Sequence, residues 1–144
     1  MERDARVSRR LRWFYAICLV GAGLNHVSDI LQGGWLPYRS APAALNWYWT
    51  SLAVLDLAAA ALLMLRPRAG LVLTAAIIGS DVAVNTYGRW GLGYGGWYYE
   101  VSLQLQTLFL GFVTGSLPIA WRGASRAAPT AAPDPVHDDG SGSS

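Results

Sequence analysis

The sequence predicts an all-α protein, an integral membrane bundle of four antiparallel helices. Three observations lead there. Hydrophobic residues make up 53% of the chain and charged residues only 14%, against about 25% charged in ordinary soluble domains, so a water-facing surface would be short of charge. Four apolar stretches, at 13–31, 45–65, 69–87 and 101–121, each have the roughly 20 residues an α-helix needs to cross about 30 Å of hydrocarbon. Charged residues are kept largely out of those stretches, in the connections and at the two ends of the chain, and there is arginine but no lysine.

The first helix follows a basic segment, residues 1–12, that carries Arg3, Arg6, Arg9, Arg10 and Arg12. A segment at 32–44 leads to the second helix. The Arg66-Pro67-Arg68 turn joins the second helix to the third, and a glycine-rich segment at 88–100 joins the third to the fourth. Links this short force neighbouring helices to run antiparallel. The apolar stretches are rich in alanine, leucine and valine without strict alternation, which argues against barrel strands. Residues 13–121 therefore form the bundle. The tail, 122–144, turns after Ala127 to Ala, Pro, Asp, Gly and Ser and is expected to be disordered, because it has no apolar face to bury.

Arginine placement sets the expected orientation, since basic residues in short loops are held on the cytoplasmic side. Nine of the eleven, at positions 3, 6, 9, 10, 12, 66, 68, 122 and 126, fall at one end of the bundle, and only Arg39 and Arg89 fall at the other. Both termini are thus expected in the cytoplasm, with alanine and arginine richness pointing to a bacterial inner membrane. Ala41-Pro42-Ala43 resembles a signal cleavage site after a basic start, but it lies far beyond the apolar core that ends near Leu24. The two outer segments hold Trp35, Tyr38, Trp47, Tyr48 and Trp49, and Trp90, Tyr94, Trp97, Tyr98 and Tyr99. Such amphipathic rings are read as headgroup-zone anchors.

Composition also excludes several function classes. A formal charge of +2 is too small for a nucleic-acid-binding face. Cys18 is the only cysteine, so neither an intrachain disulfide nor a CxxC redox pair exists. The run Gly91-Leu92-Gly93-Tyr94-Gly95-Gly96 lacks the lysine and the strand-to-helix setting of a phosphate loop. No metal and no cofactor is expected. The lipid bilayer is the expected partner, and Gly111 with Gly115, a GxxxG spacing, offers a face for a homo-oligomer.

Ionisable side chains at the centre of a transmembrane helix cost about 2.5 to 3.5 kcal/mol on insertion scales, so they face the protein interior and find partners. His26 and Asp29 on the first helix, Asp56 on the second and Asp81 on the third are such groups. Asn25, Ser28, Asn46, Thr50, Asn85, Gln104 and Gln106 join them, many at spacings of three or four that share a helix face. Nearly all lie in the outer half, whereas the inner half is apolar. The expected shape is a cup, polar toward the outside and closed toward the cytoplasm, which disfavours a channel. His26, Asp29, Asp56, Asp81, Asn85 and Gln104 are the candidate ligand-binding residues, and the expected ligand is a small amphipathic or lipid-like molecule. Two alternatives stand beside this reading. The polar groups could serve helix packing alone in a structural membrane subunit, or a buried histidine and carboxylate could transfer a proton in a membrane enzyme.

The arginine-rich start, the Gly21-Ala22-Gly23-Leu24-Asn25-His26 segment and a polar residue in each later helix resemble the DoxX-like group of small bacterial four-helix membrane proteins, over residues 9–122. The resemblance implies the four-helix fold and a quinone- or thiol-stress-linked role, with His26 the residue it singles out.

Overall fold

The structure, a computed structural model, describes residues 2–126. It consists of four helices: α1 (Glu2–Gly33), α2 (Ala43–Leu65), α3 (Pro67–Gly91) and α4 (Trp97–Arg126). No strand is present among the described residues. All four helices are long and apolar enough to cross a membrane. The disordered tail is expected from residue 122, but residues 122–126 continue α4 because Gly123 and Ala124 pack against the start of α1; residues 127–144, the rest of the expected tail, lie outside the described residues.

The helices exceed the expected apolar stretches, most of all in α1. Its basic start is helical, and at about 1.5 Å per residue its 32 residues run well past the thickness of the hydrocarbon. The extension packs on the end of α4, where buried Ser8 donates to the Ala120 carbonyl at 2.8 Å. Arg12 donates to the Leu63 carbonyl at 2.9 Å, satisfying one of the acceptors that the end of α2 leaves open.

Helix ends follow local chemistry. Pro42 precedes α2 and its carbonyl accepts from the backbone N–H groups of Leu45 and Asn46. Proline at the first position of α3 has no N–H to waste, and its fixed φ suits a helix start. The Leu65–Pro67 corner is so tight that a Cβ on Gly70 would collide with the backbone of Leu62 and Leu63. Glycine there lets α2 and α3 touch backbone to backbone.

Each helix packs on its two neighbours in the order α1, α2, α3, α4 and back to α1, while α1 also reaches α3 across the diagonal. Among the described residues α2 and α4 do not approach each other. The bundle has an arginine end, with the chain's start and the Arg66–Arg68 turn, and an aromatic end, with the two longer connections. Toward the arginine end the axis is filled by Leu63, Leu71, Val113 and Ala120, all inaccessible. Tyr15, also inaccessible, bonds Ser116 through its hydroxyl at 2.7 Å and meets Phe109 and Phe112 edge-on, with centroids 6.0 and 5.9 Å away. Gly111 and Gly115 are exposed, with open space where a Cβ would sit.

The close α2–α3 contact generates a direct test. Gly70→Ala should lower unfolding free energy in detergent by about 1–3 kcal/mol, the range for overpacking, whereas Gly79→Ala, where a Cβ meets nothing within 4 Å, should stay within about 0.5 kcal/mol. Equal effects from the two would contradict the packing described.

Candidate functional site

Toward the aromatic end the apolar filling gives way to a cavity of about 850 Å³. It occupies the space that α2 and α4 leave between them. Phe109 and Phe112, braced by Tyr15, lie at its arginine-end limit, and Ile77, Ile78, Leu19 and Leu103 form apolar wall. The polar lining is concentrated on Asp56, Asp81, Asn85 and Gln106 in the interior, and on His26, Asp29 and Tyr38 toward the aromatic end.

Asp56 owes its position to Gly23. A Cβ on Gly23 would stand 3.0 Å from Leu57 Cγ and 3.2 Å from Asp56 Cβ, so glycine lets α1 lie directly on α2 at this level. The Asp56 side chain is buried, with 3% of its surface accessible, and it lines the cavity. It has no hydrogen-bond partner among the described residues. Asp81, on α3, is within electrostatic reach of Asp56 and accepts from Asn85 Nδ2 at 2.8 Å. The same amide nitrogen donates to Gln106 Oε1 at 3.1 Å, linking α3 to α4. Tyr99 donates to the Asn85 carbonyl at 2.6 Å.

The aromatic end is covered by a turned-in connection. Asn46 holds it: its Nδ2 donates to the Leu36 carbonyl at 3.1 Å and its Oδ1 accepts from the Tyr38 backbone N–H at 3.2 Å. This clamp stabilises Leu36 in a left-handed conformation, φ 59°, and directs Tyr38 inward. The Tyr38 hydroxyl donates to Asp29 Oδ2 at 2.7 Å and lies 2.8 Å from His26 Nδ1. Burial first, and then the neighbouring Asp29, push this phenol well above the ordinary tyrosine range, so it remains protonated. Its single proton is committed to Asp29, and His26 Nδ1 must therefore carry hydrogen and donate to the Tyr38 oxygen. In the neutral ring Nε2 is left as an acceptor. Rings continue the cover, with Trp49 5.3 Å from Tyr38 and Tyr94 6.2 Å from Trp49.

The cavity opens sideways. Every exposed lining residue belongs to α1 or α4: Phe14, Ala22 and Asn25 on one side, Tyr98, Leu105, Leu108 and Phe112 on the other. The lining residues of α2 and α3 are all buried. The two helices meet at both limits of the gap, where Phe14 and Phe112 stack edge-on at 4.9 Å and Tyr98 donates to Asn25 Oδ1 at 2.9 Å. The cup is thus covered by Tyr38 and its neighbours where its mouth was expected, and its wall is open along the side that faces hydrocarbon in a spanning bundle.

Five of the expected residues, His26, Asp29, Asp56, Asp81 and Asn85, line this one cavity. Gln104 does not. It is exposed on the outer face of α4 beside Thr107 and Leu108, and Gln106 stands in the cavity instead. The reason is helical register: buried Val113 and Ala120 mark the inward face, and at 100° per residue a position seven before Val113 shares that face while one nine before it lies half a turn away. Asn46 serves the connection rather than the cavity. Tyr38 and Trp49, expected at the headgroup zone, are turned into the site, and no local sequence signal distinguishes them from Trp35 or Trp47. Cys18 also lines the cavity. Among the described residues no three His, Cys, Asp or Glu side chains converge as a metal site would require.

No family model, curated protein or solved structure matches the chain.

The Asp81–Asn85–Gln106 chain separates structural from functional use of a polar group. Asp81→Asn keeps an acceptor for Asn85 and should leave stability in detergent nearly unchanged, whereas Asp81→Leu leaves the amide with Gln106 as its one remaining acceptor and should cost about 1–3 kcal/mol. If Asp81→Leu unfolds at the same denaturant concentration as the parent, the Asn85 bond carries no structural weight.

Proposed function

We propose that the protein binds a small amphipathic or lipid-like molecule that reaches the cavity from the bilayer, between α1 and α4. The carrying observation is Asp56, a buried carboxyl that lines an otherwise apolar cavity without a hydrogen bond to the described residues. A group of this kind is costly when left unpaired, and a bound polar head would offset that cost. The volume supports the reading, since about 850 Å³ lies within the range of small-molecule pockets, which combine apolar walls with a few directed polar groups. The lateral gap supports it as well, because an apolar tail could slide in without crossing water.

The DoxX-like resemblance is consistent with a small four-helix membrane protein and suggests a second reading, a membrane enzyme that moves a proton. The specific observation in its favour is the Asp29–Tyr38–His26 chain, which joins a carboxylate to an imidazole through a phenol at the edge of the cavity. We further propose a bacterial inner membrane, with both ends and the Arg66–Arg68 turn in the cytoplasm, on the strength of the nine-to-two arginine distribution.

Native mass spectrometry from a mild polyoxyethylene detergent tests the binding reading. The parent protein should retain a small molecule that the Asp56→Ala variant loses; a bare polypeptide mass for the parent, across several mild detergents, would sink the reading. Reporter fusions test the orientation. Cytoplasmic signals are expected before Arg3, within the Arg66–Arg68 turn and after Arg126, and a periplasmic signal at any of the three contradicts it.

A further inference from the structure

Hydrogen-bonding groups of both kinds stand open in the cavity, and they stand on different helices. Gln106 Oε1 accepts from Asn85 Nδ2 and Asn25 Oδ1 accepts from Tyr98, so the amide nitrogens of Gln106 and Asn25 are donors with no acceptor among the described residues. The hydroxyl of Ser102, one turn from Tyr98 and one from Gln106 on α4, is likewise without a partner there. All three residues line the cavity, and all three belong to α1 or α4, the helices that frame the lateral gap. The open acceptors are set at the back. Asp56 on α2 has no hydrogen bond among the described residues, and Asp81 on α3 accepts one, from Asn85, which leaves its second oxygen free. Both carboxyls are buried and within electrostatic reach of each other.

Position along the gap also sorts polar from apolar. On α1 the lining passes from Asn25 through Cys18 to Phe14, and on α4 from Ser102 through Gln106 to Phe109. Steps of three, four or seven residues keep each row on one helix face. The open polar groups therefore share the aromatic-end half, where Gly23 brings α1 onto Asp56, and the rest of the gap is apolar down to the Phe14–Phe112 contact.

Resting on the binding role above, we propose that the cavity takes an uncharged monoacyl lipid whose head carries a carbonyl next to the chain and free hydroxyls beyond it, a monoacylglycerol. Entering head first through the gap, such a lipid brings its hydroxyls to Asp56 and Asp81 at the back. Its ester carbonyl stays beside Asn25, Ser102 and Gln106, and its acyl chain lies along the apolar part of the gap. A hydroxyl both donates and accepts, so it answers a carboxylate or a carboxylic acid alike, whereas a carbonyl only accepts and belongs with the three donors. An ammonium head would answer the carboxyls and leave those donors bare in a space without water. A carboxylate or phosphate would meet two acidic groups and no fixed cation, since no lysine or arginine lines the cavity. A head with carbonyls alone would leave the carboxyls without a donor.

Four amphiphiles of equal chain length test the assignment. The full-length protein in a mild polyoxyethylene detergent is titrated with dodecanoylglycerol, with methyl dodecanoate, which lacks the hydroxyls, with the dodecyl ether of glycerol, which lacks the carbonyl, and with dodecylammonium. Native mass spectrometry reads the bound fraction. Dodecanoylglycerol should reach half-occupancy at about tenfold lower mole fraction in the micelle than any of the other three, since each of those leaves a cavity group unpaired. Dodecylammonium binding as tightly as dodecanoylglycerol overturns the neutral head, and methyl dodecanoate or the ether doing so overturns the donor and acceptor order; the binding role stands in each case. If none of the four binds while the parent retains a copurified molecule, the lipid class is wrong. If none binds and the parent mass is bare, the binding role falls with it. Gln106→Met, which leaves Asn85 its bond to Asp81, should shrink the preference for the ester over the ether severalfold. Ser102→Ala repeats that test with the Asn85 bonds untouched, and an unchanged preference in both variants overturns the placing of the carbonyl against α4.

Discussion

Hydrocarbon offers no hydrogen bonds, and that constraint organises this molecule. Every polar side chain carried into the span has to be answered by the protein or by something the protein holds. Thr74 answers it with the Gly70 carbonyl, Tyr15 with Ser116, and Asn85 with Asp81 and Gln106. Each of these bonds also ties one helix to another or sets a side chain against its own helix, so satisfying polarity and fixing the packing are the same event. Interhelical bonds of this sort contribute on the order of 0.6 kcal/mol each. Their larger effect is on register, because a helix turned by one residue would leave a donor facing lipid.

Against that background the two ends of the bundle differ in kind. At the arginine end small and branched side chains close the axis, and glycine at position 70 brings α2 and α3 into backbone contact. At the aromatic end Gly23 draws α1 onto α2, while α2 and α4 stay apart, and the resulting space is walled by apolar groups with carboxyls set into it. A bundle with one packed half and one hollow half keeps a cavity without losing its core. Asp56 sits where the two halves meet.

The covering connection shows how a site can depend on a residue outside it. Asn46 binds backbone on both sides of Pro37, and this places the Tyr38 hydroxyl between Asp29 and His26. The phenol then settles which nitrogen of His26 carries hydrogen. A change at Asn46 would therefore reach the cavity through two intermediaries, neither adjacent to it in the chain.

Four spans, their antiparallel order and the concentration of polar residues toward one end follow from the sequence alone, because each rests on composition over about 20 residues and on short links. The membership of His26, Asp29, Asp56, Asp81 and Asn85 in one inward-facing group was legible for the same reason: an ionisable or amide group in hydrocarbon has few other places to go. Helix rotation was not legible on α4, where Gln104 and Gln106 are equally polar and only the buried positions of Val113 and Ala120 decide which one faces inward. Nor was the inward turn of Tyr38, since a tyrosine in an interfacial connection suits water and protein alike, and the choice depends on Asn46 and Asp29 arriving from separate helices. The sideways opening is likewise a property of the assembled bundle. Apolar residues such as Leu105 and Leu108 suit lipid and cavity wall equally well, and it is the spacing between helices distant in the chain that makes them both.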